Sequence, residues 1–379
     1  MMSTQPSSDH FVSPITNEWP PTSSTLTVRD VDLSEWHAFL ARTPGGGYQQ
    51  TGWWAVAKLL EGFRAHRFVI TNGDTILGGA QMLYRPLPVH GAVAYVPLGP
   101  VLVSEDPEVA NLALTHLHRI GREQNAYCLA VQPPRWGRAF ARKLEHFGFG
   151  PASMDLAPTA SVVIDLSKSL DFVLSRMHKT TRYDIRASQR KGITVREGGL
   201  DDIDTVHLLL TATAKRRGFS GLKNDYLREI WRQFSGCGYT KMFMAEFEGR
   251  LVSAALLMSF GDTVTYWKAG WSGEHSNRYP NEALQWAAIQ WSKSNGYRYY
   301  DLGGINRALA KSALAGDSPI RKPEGHSVGF YKLGFGGQVE LFPKAQMYIY
   351  SRPLRGVWSM ISDRAPDQNF LPNVLRRIW

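Results

Sequence analysis

The same succession of segments occurs twice in this chain, and a duplicated unit restricts the fold to two copies of one small domain. Phe68–Leu83 (FVITNGDTILGGAQML) and Phe243–Met258 (FMAEFEGRLVSAALLM) each read as a β-hairpin. A tight polar turn leads into an apolar strand entered through small residues, Gly78-Gly79-Ala80 in one and Ser253-Ala254-Ala255 in the other. Downstream, Ala113–Asn125 carries Leu114, Leu117 and Ile120 at helical spacing and runs into Asn125-Ala126-Tyr127 and an apolar strand. Ala283–Asn295, offset by 170 residues, carries Leu284, Ala287, Ala288 and Trp291 and runs into Asn295-Gly296-Tyr297 and the strand YYDL. Each half closes on a glycine between large apolar residues, Phe147-Gly148-Phe149 and Leu333-Gly334-Phe335. Pro158 interrupts the pattern near Ala157–Ser161, which places the join there. The expected plan is a disordered tail over 1–23, units over 24–158 and 159–340, and a segment 341–379 that packs back on both.

With 379 residues the chain has room for two such cores. It is 43% hydrophobic and 20% charged, with no apolar run of eighteen residues, so a globular protein without an integral membrane segment is expected. The two cysteines, Cys128 and Cys237, lack any metal-ligand spacing, which disfavours a disulfide framework or a zinc site and suits a reducing, cytoplasmic setting; no metal and no cofactor are expected. The formal charge of +10 and pI of 9.5 favour polyanionic partners. Lys179, Arg182, Arg186 and Arg190 stand at three- and four-residue steps on a helical stretch. Such a stripe is either a solvated face or a phosphate-binding one.

Hairpin, strand, helix, strand and a closing helix ending in Gly-Phe resembles the Gcn5-related N-acetyltransferase (GNAT) fold, and two copies in tandem resemble the Fem family. The implied fold is α/β (α+β): two GNAT-like domains, each a mixed, mostly antiparallel sheet flanked by helices. Tyr299-Tyr300-Asp301-Leu302-Gly303-Gly304-Ile305, followed by Gly329-Phe330-Tyr331-Lys332-Leu333-Gly334-Phe335-Gly336-Gly337, is similar to the family's Tyr-Asp-x-x-Gly-Ile … Phe-Lys-x-Gly-Phe-Gly-Gly signature. Gln50-Thr51-Gly52-Trp53-Trp54-Ala55-Val56-Ala57-Lys58 resembles its Gln…Trp-x-x-x-Lys element, and Tyr95-Val96-Pro97-Leu98-Gly99-Pro100-Val101 its Tyr-x-Pro-Arg-Gly-Pro-Val segment. Leu98 stands where arginine is common, and Val103-Ser104 where an acidic residue is often found. Arg216-Arg217-Gly218-Phe219 is similar to the Thr…Arg-x-Gly-Phe element, and Tyr266-Trp267-Lys268-Ala269-Gly270 to a Tyr-x-Tyr-x-Gly strand, with Lys268 replacing the second tyrosine.

The resemblance implies transfer of an aminoacyl group from aminoacyl-tRNA to an amine, by a monomer. The ester to tRNA already carries the activation, so no covalent enzyme intermediate is needed, in line with the missing G-x-S-x-G elbow. Lys332 is the implied catalytic residue, a cation beside the developing oxyanion or on the 3′-terminal phosphate of the tRNA; the sequence does not separate the two. Lys58, Tyr95, Arg217 and Tyr266 are the implied acceptor-binding residues, and Lys179, Arg182, Arg186, Arg190 and Tyr331 those for tRNA phosphate. The acceptor is a peptide or nucleotide-linked peptide: a peptidoglycan precursor, nucleotide- or lipid-linked, or a peptide or nucleoside scaffold of specialised metabolism.

Two rivals stand beside this reading. A CoA-dependent N-acyltransferase cradles pyrophosphate with Arg/Gln-x-x-Gly-x-Gly/Ala between a strand and a helix. That pattern occurs at Arg42…Gly45…Gly47 and Gln233…Gly236…Gly238, but each follows a helix, and the segment His275–Pro280 before the second repeat's helix has no glycine. A non-catalytic RNA-binding protein would use the positive charge equally well but has no use for the Lys332 segment. The long loop Asn306–Ser327, with Arg321 and Lys322, reads as a mobile lid, and the C-terminal NFLPNVLRRIW as a tail packed on the domains or a lipid-facing one.

Overall fold

Both hairpins form, and in matching register. Phe68 pairs with Ala80 in one and Phe243 with Ala255 in the other, and each pair of strands carries a bulge near its turn. The structure is a computed structural model and describes residues 26–88, 90–152, 154–316, 328–352 and 354–356. The tail, Arg321, Lys322 and the C-terminal NFLPNVLRRIW therefore lie outside the described residues.

The first half runs β1 (Thr27–Asp30), α1 (Leu33–Arg42), α2 (Gly52–Leu59), β2 (Arg64–Asn72), β3 (Thr75–Pro86), β4 (Ala92–Pro97), β5 (Val101–Leu102), α3 (Pro107–Glu123), β6 (Ala126–Gln132), α4 (Arg138–His146) and β7 (Gly150–Pro151). The second runs β8 (Ala160–Asp165), α5 (Leu170–Arg176), α6 (Lys179–Arg190), β9 (Ile193–Glu197), α7 (Ile203–Arg217), α8 (Asn224–Ser235), β10 (Thr240–Phe247), β11 (Arg250–Phe260), β12 (Thr263–Trp271), α9 (Pro280–Ser294) and β13 (Tyr299–Gly304). It ends with α10 (Arg307–Ala315), α11 (Val328–Leu333), β14 (Gln338–Leu341) and β15 (Gln346–Ile349). The stretch read as a lid thus begins as helix α10. Among the described residues no helix is long and apolar enough to cross a membrane.

The strands form two mixed sheets, ordered β1-β2-β3-β4-β6-β15-β7, with β5 against β3, and β9-β10-β11-β12-β13-β8-β14. Aligned on their hairpins, the orders are the same position by position. The duplication is therefore complete in space but not in chain order. The strand that follows β7 in sequence, β8, enters the second sheet between β13 and β14, and β15, which follows β14, enters the first between β6 and β7. The end of the second half thus completes the first sheet through β15, while β8 stays in the second. In both, the helix between the fourth and fifth equivalent strands (α3, α9) makes a parallel crossover, and its apolar stripe covers one sheet face: Leu114, Leu117 and Ile120 are fully buried, as are Leu284, Ala288 and Ile289.

A third apolar cluster joins the halves. Trp36, Phe39, Leu40 and Val69 of the first pack with Tyr226, Ile230, Phe234 and Met258 of the second. Trp53 stands 5.9 Å from Phe234 and 5.1 Å from Tyr239, ring centre to ring centre. The crossing between the halves and the return to β15 are pinned at one side chain, Gln132 at the end of β6, which is fully buried. Its Oε1 accepts the amides of Leu156 (2.8 Å) and Ala157 (2.7 Å), and its Nε2 donates to the carbonyls of Ala157 (3.1 Å) and Pro343 (3.2 Å). One amide thus ties the outgoing and returning segments together. Gln132→Leu keeps the volume but leaves four buried or partly buried backbone groups without that partner, and should lower unfolding free energy by about 2–4 kcal/mol in urea titration.

Candidate active site

β12 and β13 run parallel and pair over only three positions, Thr263 with Tyr299, Val264 with Tyr300 and Thr265 with Asp301, before separating. Between the two halves, against this splay, lies a cavity of about 730 Å³. Its walls come from α2 (Trp54, Lys58), the segment Thr43–Gln49, the crossing Leu156–Pro158, Tyr226 of α8, Thr265–Lys268 of β12, and Asp301, Gly303 and Lys332. Tyr300 and Leu302 alternate to the other face, into the core under α9.

Lys332 sits in the last turn of α11 with 9% of its surface exposed, and its Nζ donates to the carbonyl of Gly304 (2.9 Å). Two glycines fix that contact. Gly303 has φ +77°, and a Cβ there would lie 2.8 Å from the Tyr266 carbonyl and 3.3 Å from Lys332 Nζ. Gly336, at φ +70°, presses on the Arg176 carbonyl at the end of α5, where a Cβ would approach to 2.1 Å, so the turn after α11 is locked to α5. Burial pushes the Lys332 ammonium down to about 8; Asp301 opposes the shift and the Arg217 charge adds to it. Asp301 is itself raised by burial, though the Ser161 hydroxyl and the Gly303 amide (2.8 Å) bind it.

At the other end of the cavity, α2 opens on the Thr51 hydroxyl, which accepts the Trp54 amide (3.3 Å), and carries Lys58 in its last turn, where the helix dipole favours a cation. Lys58 Nζ is 2.6 Å from Glu61 Oε2 and lies over the rings of Trp54 (5.3 Å) and Tyr226 (5.2 Å). Lys268 faces the same space, half-buried, with the Trp267 ring at 5.5 Å and no carboxylate partner among the described residues. Burial lowers its pKa, and the Lys58 charge lowers it further. Tyr226 contributes a buried hydroxyl without a hydrogen-bond partner.

The other residues singled out in the sequence separate into two groups. Tyr266 lines the cavity, and Arg217 is exposed at the end of α7, close enough for its charge to act on Lys332. Its neighbour Arg216 is committed to the fold, donating to the Ser272 carbonyl (3.1 Å) and stacking on Trp271 (5.1 Å). Tyr95 is buried away from the cavity against Phe63, at 5.1 Å between ring centres. Along α6, Lys179, Arg186 and Arg190 are exposed, whereas Arg182 turns back to donate to the carbonyls of Ser175 (3.2 Å) and Met177 (2.5 Å) at the end of α5. Tyr331 packs against the second core, its ring 5.2 Å from Phe335. Sequence reading missed Tyr226, took Lys268 only as a departure, and passed over Glu282 in the first turn of α9, which burial pushes up to about 7.

The FemAB family model matches residues 29–251 and 239–349, together nearly all of the described chain. The chain belongs to the FemAB family. Among curated relatives, Lipid II:glycine glycyltransferase of Staphylococcus aureus (strain MRSA252) is 21% identical, aligned over 87% of this chain and 94% of its own. UDP-N-acetylmuramoylpentapeptide-lysine N(6)-alanyltransferase of Weissella viridescens is 24% identical over 74% of this chain and 87% of its own. Among solved structures, FemX superposes with a TM-score of 0.77 at 19% identity, covering 87% of this chain and 99% of that one. A tandem GNAT protein from the clavulanic acid biosynthesis pathway gives a TM-score of 0.52 at 13% identity, covering 86% and 99%. The fold of this FemAB chain is accordingly two GNAT-like units in tandem.

The Lys332 cation is populated below about pH 8 and lost above it. If its charge serves the reaction, kcat/KM should fall as pH rises through about 8. In Lys332→Arg, whose guanidinium stays protonated, any residual activity should keep its level to higher pH; a decline at the same pH in both would detach it from Lys332.

Proposed function

We propose that this FemAB-family chain is an aminoacyltransferase that moves an amino acid from aminoacyl-tRNA to an amine of a phosphate-bearing peptidoglycan precursor. The observation that carries the reading is the pair of lysines in one cavity. Lys58 has a single carboxylate neighbour, and Lys268 has none among the described residues, so the space between them favours an anionic group. A nucleotide- or lipid-linked muramoyl peptide supplies that anion as its pyrophosphate, and the two curated relatives are named for transfer to such precursors. An uncharged peptide or nucleoside scaffold would leave Lys268 without a counter-ion and Lys58 with Glu61 alone.

With the phosphate end held by Lys58 and Lys268, Tyr266 further along the cavity wall and the Arg217 charge near Lys332, the acceptor amine reaches the splay between β12 and β13. There it attacks the ester carbonyl of the donor. The new C–N bond forms as the ester C–O bond breaks, and the leaving ribose oxygen takes a proton as the amine gives one up. Lys332, anchored at the end of β13, provides the cation for the oxyanion or for the donor's terminal phosphate. The exposed Lys179, Arg186 and Arg190 follow the tRNA backbone on the other side of the splay.

The CoA reading fares worse. Arg42 ends α1 and Ser235 ends α8, so both glycine-rich patterns are turns that leave helices. The start of α9, where a pyrophosphate would sit, holds the Glu282 carboxylate instead.

The test is to supply the protein with radiolabelled glycyl- and alanyl-tRNA and, as acceptors, UDP-N-acetylmuramoyl pentapeptide and lipid II. Ribonuclease should abolish transfer, acyl-CoA alone should give none, and Lys332→Met should cut the rate by roughly 10²-fold or more. Lys268→Met should raise the acceptor KM about tenfold with the tRNA KM unchanged. Ribonuclease-insensitive transfer would contradict the proposal.

A further inference from the structure

The start of α9 is built against the overall charge of the protein. Its N-cap residue Tyr279 is held at φ +62° and offers no side-chain cap, and its first residue is Pro280. The Glu282 carboxylate accepts its own backbone amide and so occupies the post that an anionic ligand would take at a helix N-terminus. Across from it, on α6, stands Asp184, near enough to raise Glu282 further; neither carboxylate forms an ion pair among the described residues, and the Lys191 charge acts on Asp184 but only partly offsets its burial. The nearby Lys191 is turned away onto the Asn277 carbonyl (2.7 Å) and the Tyr279 ring (4.5 Å). Two carboxylates close to one another and free of any ion pair among the described residues, in a chain of net charge +10, favour a cationic group beside them.

Two further side chains point to a ligand independently of the acids. The hydroxyl of Tyr331 is buried without a hydrogen-bond partner, and Glu282 is the leading charge acting on it. Gln285, one turn along α9 from Glu282, is fully buried; its Oε1 accepts the Tyr300 hydroxyl (2.7 Å), which leaves its Nε2 without a partner. Buried polar groups of this kind are rare and costly unless something completes them. Together they offer acceptors for an ammonium (Glu282, Asp184 and the Tyr331 oxygen) and one donor for a carbonyl (Gln285). Tyr331 immediately precedes Lys332, so α11 turns one residue to this acidic space and the next to the Gly304 carbonyl at the splay.

We propose that Glu282, with the Tyr331 hydroxyl and the Gln285 amide, seats the free α-ammonium and the carbonyl of the aminoacyl group on the donor, making this site the selector for an α-amino ester over other acyl esters. The assignment rests on the aminoacyl-tRNA reading above and names the part of the donor that this side of the splay recognises. Burial holds Glu282 up to about 7, a shift that an ammonium would reverse on binding.

The experiment separates this site from the overall function by measuring binding as well as turnover. The probes are stable minimal donors, 3′-glycylamino-3′-deoxyadenosine and its acetyl counterpart, which differ only in the ammonium. Calorimetry on the full chain should show the glycyl form bound roughly tenfold or more tightly. Glu282→Gln should reduce that preference to within about threefold, chiefly by weakening the glycyl form, and Tyr331→Phe should reduce it in part while keeping the carboxylate. Equal binding of both probes by the unmodified protein, or a preference that survives Glu282→Gln in a variant with the parent's circular dichroism, would overturn the assignment. If the preference and its loss are seen but no aminoacyl group reaches a muramoyl peptide, the site stands and the proposed acceptor falls. If transfer occurs without any ammonium preference, the site falls and the function stands.

Discussion

Everything in the cleft depends on the return of one strand, β15, to the first sheet and on the side chain that pins the crossing. β15, from the end of the second half, completes the first sheet in the position that β8 fills in the second, and Gln132 binds the chain on its way out and on its way back. An amide with two donors and a two-lone-pair oxygen can make four bonds, and here it makes four, so the crossing carries no unsatisfied group at that point. The consequence is a cavity whose wall at Leu156–Pro158 belongs to neither half alone. A shared apolar cluster, with Trp36 and Trp53 on one side and Phe234 on the other, holds the remaining walls at fixed distances.

Within that frame, electrostatics differ on the two sides of the β12–β13 splay. The cavity side gathers Lys58, Lys268 and Lys332, of which the last two are pushed toward neutrality by burial. The α9 side gathers Glu282 and Asp184, both raised by burial. Each arrangement is unfavourable by itself, and each becomes favourable beside a ligand of opposite charge. A phosphate on one side and an ammonium on the other would satisfy both. The reacting carbonyl then lies between, within reach of Lys332 of α11, whose ammonium is held on the Gly304 carbonyl at the end of β13.

Much of this was legible in the sequence because it follows from local pattern. Hairpin turns, apolar helix stripes and the Gly-Phe closures repeat with the same spacing as the elements they form. The return of β15 to the first sheet was not legible, since a short apolar strand such as QMYI fits either sheet equally and carries no mark of its partner. The same holds for individual side chains. Arg182 and Arg216 look in sequence like Arg186 and Arg217, and only the fold shows that the first two are spent on carbonyls at element ends. Tyr95 follows the family pattern, yet the strand turns its ring into the core. Glu282 was passed over because a glutamate in a first helical turn is ordinary; the signal was its place on a helix start with neither a capping side chain nor a glycine.

The central claim is that donor and acceptor approach opposite sides of one splay. Hydrogen–deuterium exchange on the full chain tests it most directly, with uncharged and glycyl-tRNA added in one arm and UDP-N-acetylmuramoyl pentapeptide in the other. The account predicts that charged tRNA protects 179–190 and 280–288, that the muramoyl peptide protects 52–61 and 265–268, and that only 328–333 responds to both. Protection of 52–61 by tRNA, or of 280–288 by the muramoyl peptide, would contradict it.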